Sequence, residues 1–202
     1  MRFSYFLAIV KSDLHRLTDV CLSSFFKTLF FSPTFRIVFY FRLCKYLKVG
    51  GGFTRYFLYL PVKLLFKLSQ VRFGISLPDE TDIGPGFYIG HCGGIVINPR
   101  AIIGKNFNLS QGVTIGQTNR GERKGTPVIG DNVYVGPGAK IIGRIAIGDG
   151  AAIGANAVVT KDIPPNGVAI GIPAKVISTS GSVGYIERTN YPYFQDKSSR
   201  RS

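Results

Sequence analysis

Side chains able to move a proton near neutral pH are scarce in this chain: 202 residues hold two histidines, His15 and His91. His91 stands in the stretch Gly90-His91-Cys92-Gly93-Gly94-Ile95-Val96, two positions after Ile89. A neutral imidazole placed against a hydroxyl can take its proton as the oxygen attacks a carbonyl, an effect of about 10²- to 10⁴-fold. Cys92 is adjacent, but successive residues of an extended chain point to opposite faces, so a Cys–His nucleophilic pair is not expected. A histidine considered alone is more often a hydrogen-bonded surface residue; what singles out His91 is the frame around it. Cys21, Cys44 and Cys92 show neither framework spacing nor a metal-type cluster. They read as small buried thiols in a reducing compartment.

That frame is a repeat. Ile129-Gly130, Val135-Gly136, Ile141, Ile147-Gly148, Ile153-Gly154 and Val159 keep one six-residue register. Ile83-Gly84, Ile89-Gly90 and Ile95 precede it, followed two positions out of frame by Ile97, Ile103-Gly104, Leu109 and Ile115-Gly116. Such a period fits a solenoid of triangular coils, three hexads per turn, with each aliphatic pointing inward onto its equivalents. A small insertion absorbs the shift between Ile95 and Ile97. A larger slip between Ile115 and Ile129 contains Gln-Thr-Asn-Arg-Gly-Glu-Arg-Lys-Gly-Thr-Pro (117–127), which reads as a loop expelled from a coil.

Residues 1–75 are different material: 12 Lys and Arg against Asp13 and Asp19, with many Phe, Tyr and Leu. They predict amphipathic helices broken near Pro33, at the Gly50, Gly51, Gly52 run and at Pro61. The whole chain carries a formal charge of +14, concentrated here. No stretch is long and uncharged enough for a spanning helix, and the first apolar run is too interrupted for a signal peptide. Cations interleaved with aromatics suit a helix lying on an anionic membrane; the alternative is helices packed on one another with solvated cations. No nucleic-acid motif accompanies the charge, so nucleic acid is not expected as a partner. Residues 178–202, polar at both ends, read as a flexible C-terminal tail.

The segment from Ile89 through Gly121, followed by Thr126 to Gly143, resembles the hexapeptide-repeat acyltransferases, in their serine acetyltransferase-like branch and nearest to exopolysaccharide and capsule O-acetyltransferases. The resemblance covers residues 76–177. It implies an all-β solenoid, a left-handed parallel β-helix assembling as a homotrimer, preceded here by the α-helical region 1–75. It also implies direct acetyl transfer from acetyl-CoA to a hydroxyl with His91 as the catalytic base. No metal is implied, since β-helices of the carbonic-anhydrase type need several histidine ligands.

By position, the resemblance places acetyl-CoA against Gln117, Pro137 and Ala155, with Lys161 and Lys175 near its phosphates. Serine acetyltransferases carry an Asp before this His and an Arg-His pair before the next Pro; Gly90, Gly125 and Thr126 stand there instead. Loss of those charges favours a neutral acceptor, a sugar or polysaccharide precursor. Asn119 and Glu122, in the loop 117–126, and Asn98 and Gln111, polar residues within otherwise repetitive coils, are the candidate acceptor-binding residues. With Gly90 in place of that Asp, the group that orients His91 is left open, a backbone carbonyl and Glu122 of a neighbouring copy being the two candidates. The resulting expectation is a cytoplasmic sugar O-acetyltransferase at or near the inner membrane face, whose alternatives are a serine O-acetyltransferase and a nonenzymatic membrane-docking β-helix scaffold.

Overall fold

The computed structural model describes residues 2–49 and 53–192. The expected break at Gly50–Gly52 and residues 193–202 of the expected tail lie outside the described residues. Four helices come first: α1 (Phe3–His15), α2 (Leu22–Phe31), α3 (Pro33–Val49) and α4 (Phe53–Phe73). Helix α3 is central and packs against the other three. Pro33 opens it, where the fixed φ of proline is already helical and no N–H is needed.

Pro61 does not break α4, contrary to the sequence expectation. It lies on the exposed side, where water satisfies the carbonyl it frees. Anchors on both sides hold the helix straight through: Tyr59 and Lys63 bond Asp79, Phe66 is fully buried, and Gln70 accepts from the Leu77 N–H at 3.1 Å.

Coils follow at once. The first holds β1 (Ile75–Ser76), β2 (Asp82–Ile83) and β3 (Tyr88–Ile89); the second β4 (Ile95–Ile97), β5 (Ile102–Ile103) and β6 (Asn108–Leu109). Next come β7 (Thr114–Gly116), β8 (Val128–Ile129) and β9 (Tyr134–Val135), then β10 (Lys140–Ile142), β11 (Ala146–Ile147) and β12 (Ala152–Ile153). The stack closes with β13 (Val158–Val159), β14 (Val168–Ile170) and β15 (Lys175–Ser178). Through β13 every third strand pairs in parallel, and β14 pairs β12, giving three flat sheets: β1-β4-β7-β10-β13, β2-β5-β8-β11, and β3-β6-β9-β12-β14, on whose end β15 runs antiparallel.

The register stacks Ile97, Ile115, Ile141 and Val159 on the first sheet, Ile83, Ile103, Ile129 and Ile147 on the second, and Ile89, Leu109, Val135 and Ile153 on the third. All twelve are at most 4 % exposed, as the hexad pattern predicts. Each such side chain contributes roughly 2 kcal/mol by leaving water. Phe41 of α3 and Phe66 of α4 close the open end of this column, so helices and coils share one core.

The segment expected to be a mobile tail is, through Pro192, a strap laid back across the third sheet. Ser182 Oγ donates to the Asn132 carbonyl at 2.7 Å, Tyr185 stacks on Tyr134 with ring centroids 4.5 Å apart, and Tyr191 Oη bonds Asn106 Oδ1 at 2.8 Å. Arg188 reaches the His15 carbonyl and Asp19 beside α1. These aromatic and bidentate contacts hold a composition that looks disordered when read locally.

Candidate functional site

Each coil turns three corners, and the corner between the third and first sheets carries His91. The register places His91, Gln111, Pro137 and Ala155 two residues beyond stacked partners Ile89, Leu109, Val135 and Ile153. They therefore form one row along a single edge of the prism, one strand spacing of about 4.8 Å per step.

His91's corner is longer than its equivalents. Residues 90–94 make this turn, against 110–112, 136–138 and 154–156 in the coils that follow, because Val96 pairs Thr114, Thr114 pairs Lys140 and Lys140 pairs Val158. The extra residues are the small insertion seen as a frame shift between Ile95 and Ile97. Gly93 and Gly94, with φ of +105° and +66°, supply the left-handed backbone, and the Gly112 N–H donates to the Gly93 carbonyl at 2.7 Å. The result is an exposed His91 on a protruding turn stitched to the coil below. Among the described residues of one chain, no side chain bonds its imidazole. Cys92 is half-buried and burial raises its thiol pKa, which disfavours a thiolate beside the imidazole.

The other candidates occupy a different edge, between the first and second sheets. Asn98 Nδ2 donates to Gln117 Oε1 at 3.3 Å, and Gln117 Nε2 donates to Asn119 Oδ1 at 2.8 Å, so three predicted residues form one polar chain across two coils. From there the loop folds down onto later coils. Thr118 and Gly125 pair in antiparallel fashion, Arg123 binds Asp162 at 2.9 Å, and Arg144 donates to the Glu122 carbonyl at 3.0 Å. Glu122 itself is exposed, and Lys161 lies exposed on this same edge. Lys175 begins β15 on the third sheet, also exposed.

One chain thus brings His91 together with Gln111, Pro137 and Ala155, and separates them from Asn98, Gln117, Asn119, Glu122 and Lys161 by the width of the first sheet. Sequence reasoning missed Arg144 and Asp162, which pin the loop. Charged residues at hexad corners were their only signal. Asp162 also accepts from the Ala146 N–H, and that bond, with Arg123, holds its carboxyl below the usual range.

A family model for bacterial transferase hexapeptide repeats (six repeats) matches residues 126–161. A serine acetyltransferase of Helicobacter pylori is 39% identical over 120 residues, covering 59% of this chain and 70% of that protein. The chain belongs to the hexapeptide-repeat acyltransferases. A serine acetyltransferase of Synechococcus elongatus is 41% identical over 124 residues, 60% of this chain but 51% of that relative, so this chain spans about half the relative's length. Among solved structures, a serine acetyltransferase in complex with CoA aligns with a TM-score of 0.65 at 29% identity, covering 84% of this chain and 68% of that one.

Members of this family wind as left-handed β-helices, which gives the three-sheet coil its hand. These relatives are serine acetyltransferases. The capsule and exopolysaccharide branch expected from the sequence has no support among them, and neither does a glycan partner. That expectation rested on what is missing at Gly90, Gly125 and Thr126, and not on residues matched to a sugar-binding pattern.

Proposed function

We propose that this chain transfers an acetyl group from acetyl-CoA to a hydroxyl, with His91 as general base and L-serine as the acceptor best supported by its relatives. The observation that carries the reading is the protruding His91 corner at the head of the row Gln111, Pro137 and Ala155. The hydroxyl proton passes to the imidazole as the oxygen attacks the thioester carbonyl. The C–S bond then breaks, and the imidazolium returns its proton to the departing thiolate of CoA. No covalent acyl-enzyme is required, and the base supplies about 10²- to 10⁴-fold.

In a threefold assembly, the His91 edge of one copy faces the loop edge of the next. CoA runs in the groove between them along Pro137 and Ala155 on one side and Gln117 on the other. Lys161 and Lys175 meet its phosphates as point charges. Asn98, Gln111, Asn119 and Glu122 approach the acceptor, and the groove supplies the orienting partner that His91 lacks among the described residues of one chain. The reaction runs in the cytoplasm, where acetyl-CoA is made.

A second reading, a neutral sugar hydroxyl as acceptor, is favoured by one observation. A Cβ at Gly90 would meet its nearest neighbours at 3.7 Å and 3.8 Å, ordinary contacts, so crowding at the Cβ does not account for a glycine where serine acetyltransferases carry an Asp. Its absence removes a charge without a steric reason. Gly125, by contrast, holds φ at +136°, a conformation that an Arg in its place would strain.

Thiol release from acetyl-CoA, measured with L-serine and with sugars, nucleotide sugars and lipid-linked glycans as separate acceptors, tests both. Release that requires serine supports the first reading; release that requires a glycan replaces it with the second. No release with any acceptor, and no binding of acetyl-CoA, would leave a nonenzymatic β-helix scaffold.

A further inference from the structure

Helix α4 is anchored to the core along one side only. Its inward face uses Tyr59, Lys63, Phe66 and Gln70. At 100° per residue the opposite face is a stripe of Phe57, Leu60, Leu64, Leu68 and Val71, each 51–72 % exposed. The stripe runs about 21 Å along the axis at 1.5 Å per residue. An exposed apolar strip of this length marks a surface that meets something.

Charge decides what it meets. Lys67 and Arg72 flank the stripe, and neither α2, α3 nor α4 contains an Asp or Glu. The two acids of the helical region are already engaged, Asp13 by Arg42 and Asp19 by Arg188. A second copy of α4 laid on the stripe would bring cations against cations with no acid to receive them. A surface of anionic headgroups over hydrocarbon accepts both halves of the pattern: the cations meet phosphate, and the leucines enter the acyl boundary. No helix among the described residues is long and apolar enough to cross a membrane, so the contact lies in the plane of the surface. Helix α2 repeats the pattern, with Leu22, Phe30 and Phe31 at least 69 % exposed around Lys27. Between α1 and α2 an apolar cleft of about 730 Å³, lined by Phe3, Phe6, Leu7, Val10 and Phe25, offers further room for a hydrocarbon chain.

We infer that the helical region is a membrane-surface anchor, in which α4 lies flat on anionic lipid through Phe57, Leu60, Leu64, Leu68 and Val71 with Lys67 and Arg72 at the headgroups. The anchor is independent of the acetyl acceptor, so it stands or falls apart from the proposed reaction.

Flotation of the full chain with vesicles of phosphatidylcholine and phosphatidylglycerol tests it, against vesicles of phosphatidylcholine alone. The expected result is at least tenfold more protein floating with the anionic vesicles, a loss of most of that binding in 0.5 M salt, and a comparable loss in Leu64→Gln/Leu68→Gln and in Lys67→Glu/Arg72→Glu. Helix content of both variants, read by circular dichroism, is expected to match the wild type because all four positions face solvent. No flotation on anionic vesicles would overturn the inference. So would a wild-type assembly in solution that Leu64→Gln/Leu68→Gln splits into smaller species, since the stripe would then be an interface between copies.

Discussion

Arg42 grips Asp13 at two points, Nε to Oδ2 at 2.8 Å and Nη2 to Oδ1 at 3.2 Å, with both side chains at most 3 % exposed. The same guanidinium donates to the carbonyls of Ile83 and Gly84 at 2.6 Å each, and Asp13 accepts from the Phe87 N–H at 2.8 Å. One ion pair therefore bolts α1 and α3 to the first coil.

Removing one partner leaves a buried charge without its counterion. Asp13→Ala is expected to cost about 3–5 kcal/mol, while Asp13→Leu/Arg42→Met recovers much of that loss. Urea unfolding of the three proteins measures both, and equal stability of the single and double variants would contradict the role given to the pair.

Asp79 does a similar task for α4. Burial pushes its pKa up, but the Lys63 ammonium and the Tyr59 hydroxyl outweigh burial and hold the carboxyl below its ordinary 3.8. A depressed folded-state pKa means stabilisation that is complete above the unfolded value, near 4, and is lost as pH falls through the folded value. Asp79→Asn is expected to cost about 1–3 kcal/mol at neutral pH, and the gap from wild type is expected to narrow below about pH 4. Thermal melts across that range read the narrowing.

Gly94, Gly112 and Gly138 stack at successive corners on the His91 edge, with φ of +66°, +71° and +73°. A Cβ on Gly112 would stand 3.3 Å from the Gly138 Cα and N, whereas one on Gly121, at φ +74°, meets nothing within 4 Å. Both replacements by alanine incur the left-handed backbone cost of about 1–2 kcal/mol, and Gly112→Ala is expected to cost more than Gly121→Ala because of the added crowding. Chemical denaturation of the two variants makes the comparison.

Deleting residues 118–125 restores the six-residue spacing from Ile115 to Ile129. The coil does not need the loop, and its Arg123–Asp162 pair is exposed, contributing about 0–1 kcal/mol. The deletion is expected to leave the melting temperature within a few degrees while lowering acceptor-dependent thiol release at least tenfold. A deletion variant with unchanged rate would remove the loop from the site.

The coils were legible because every inward position obeys one rule: Ile129, Val135, Ile141 and their equivalents are buried wherever the six-residue count falls. The position of His91 was legible from the same count, since it stands two residues after the inward Ile89, at an exposed corner. The strap was not, because Tyr185 and Tyr191 find their partners Tyr134 and Asn106 in distant coils, which local composition does not record. Pro61 misled because propensity weighs a single residue, while the contacts of Lys63 with Asp79 and of Phe66 with the core fix the helix from outside it. The proposed union of His91 with Gln117 and Asn119 lies beyond both sequence and single chain, since these residues stand on different edges of one prism and would meet only between two copies.

The most direct measurement is the initial rate of thiol release from acetyl-CoA in the presence of L-serine, wild type against His91→Ala, with thermal protection by acetyl-CoA recorded for both. His91 is exposed and its imidazole bonds no side chain among the described residues, so the variant is expected to fold and to be protected as the wild type is. Its rate is expected to fall by about 10²- to 10⁴-fold. A variant working within two- to threefold of the wild type would show that the proton leaves by another route and would contradict the account.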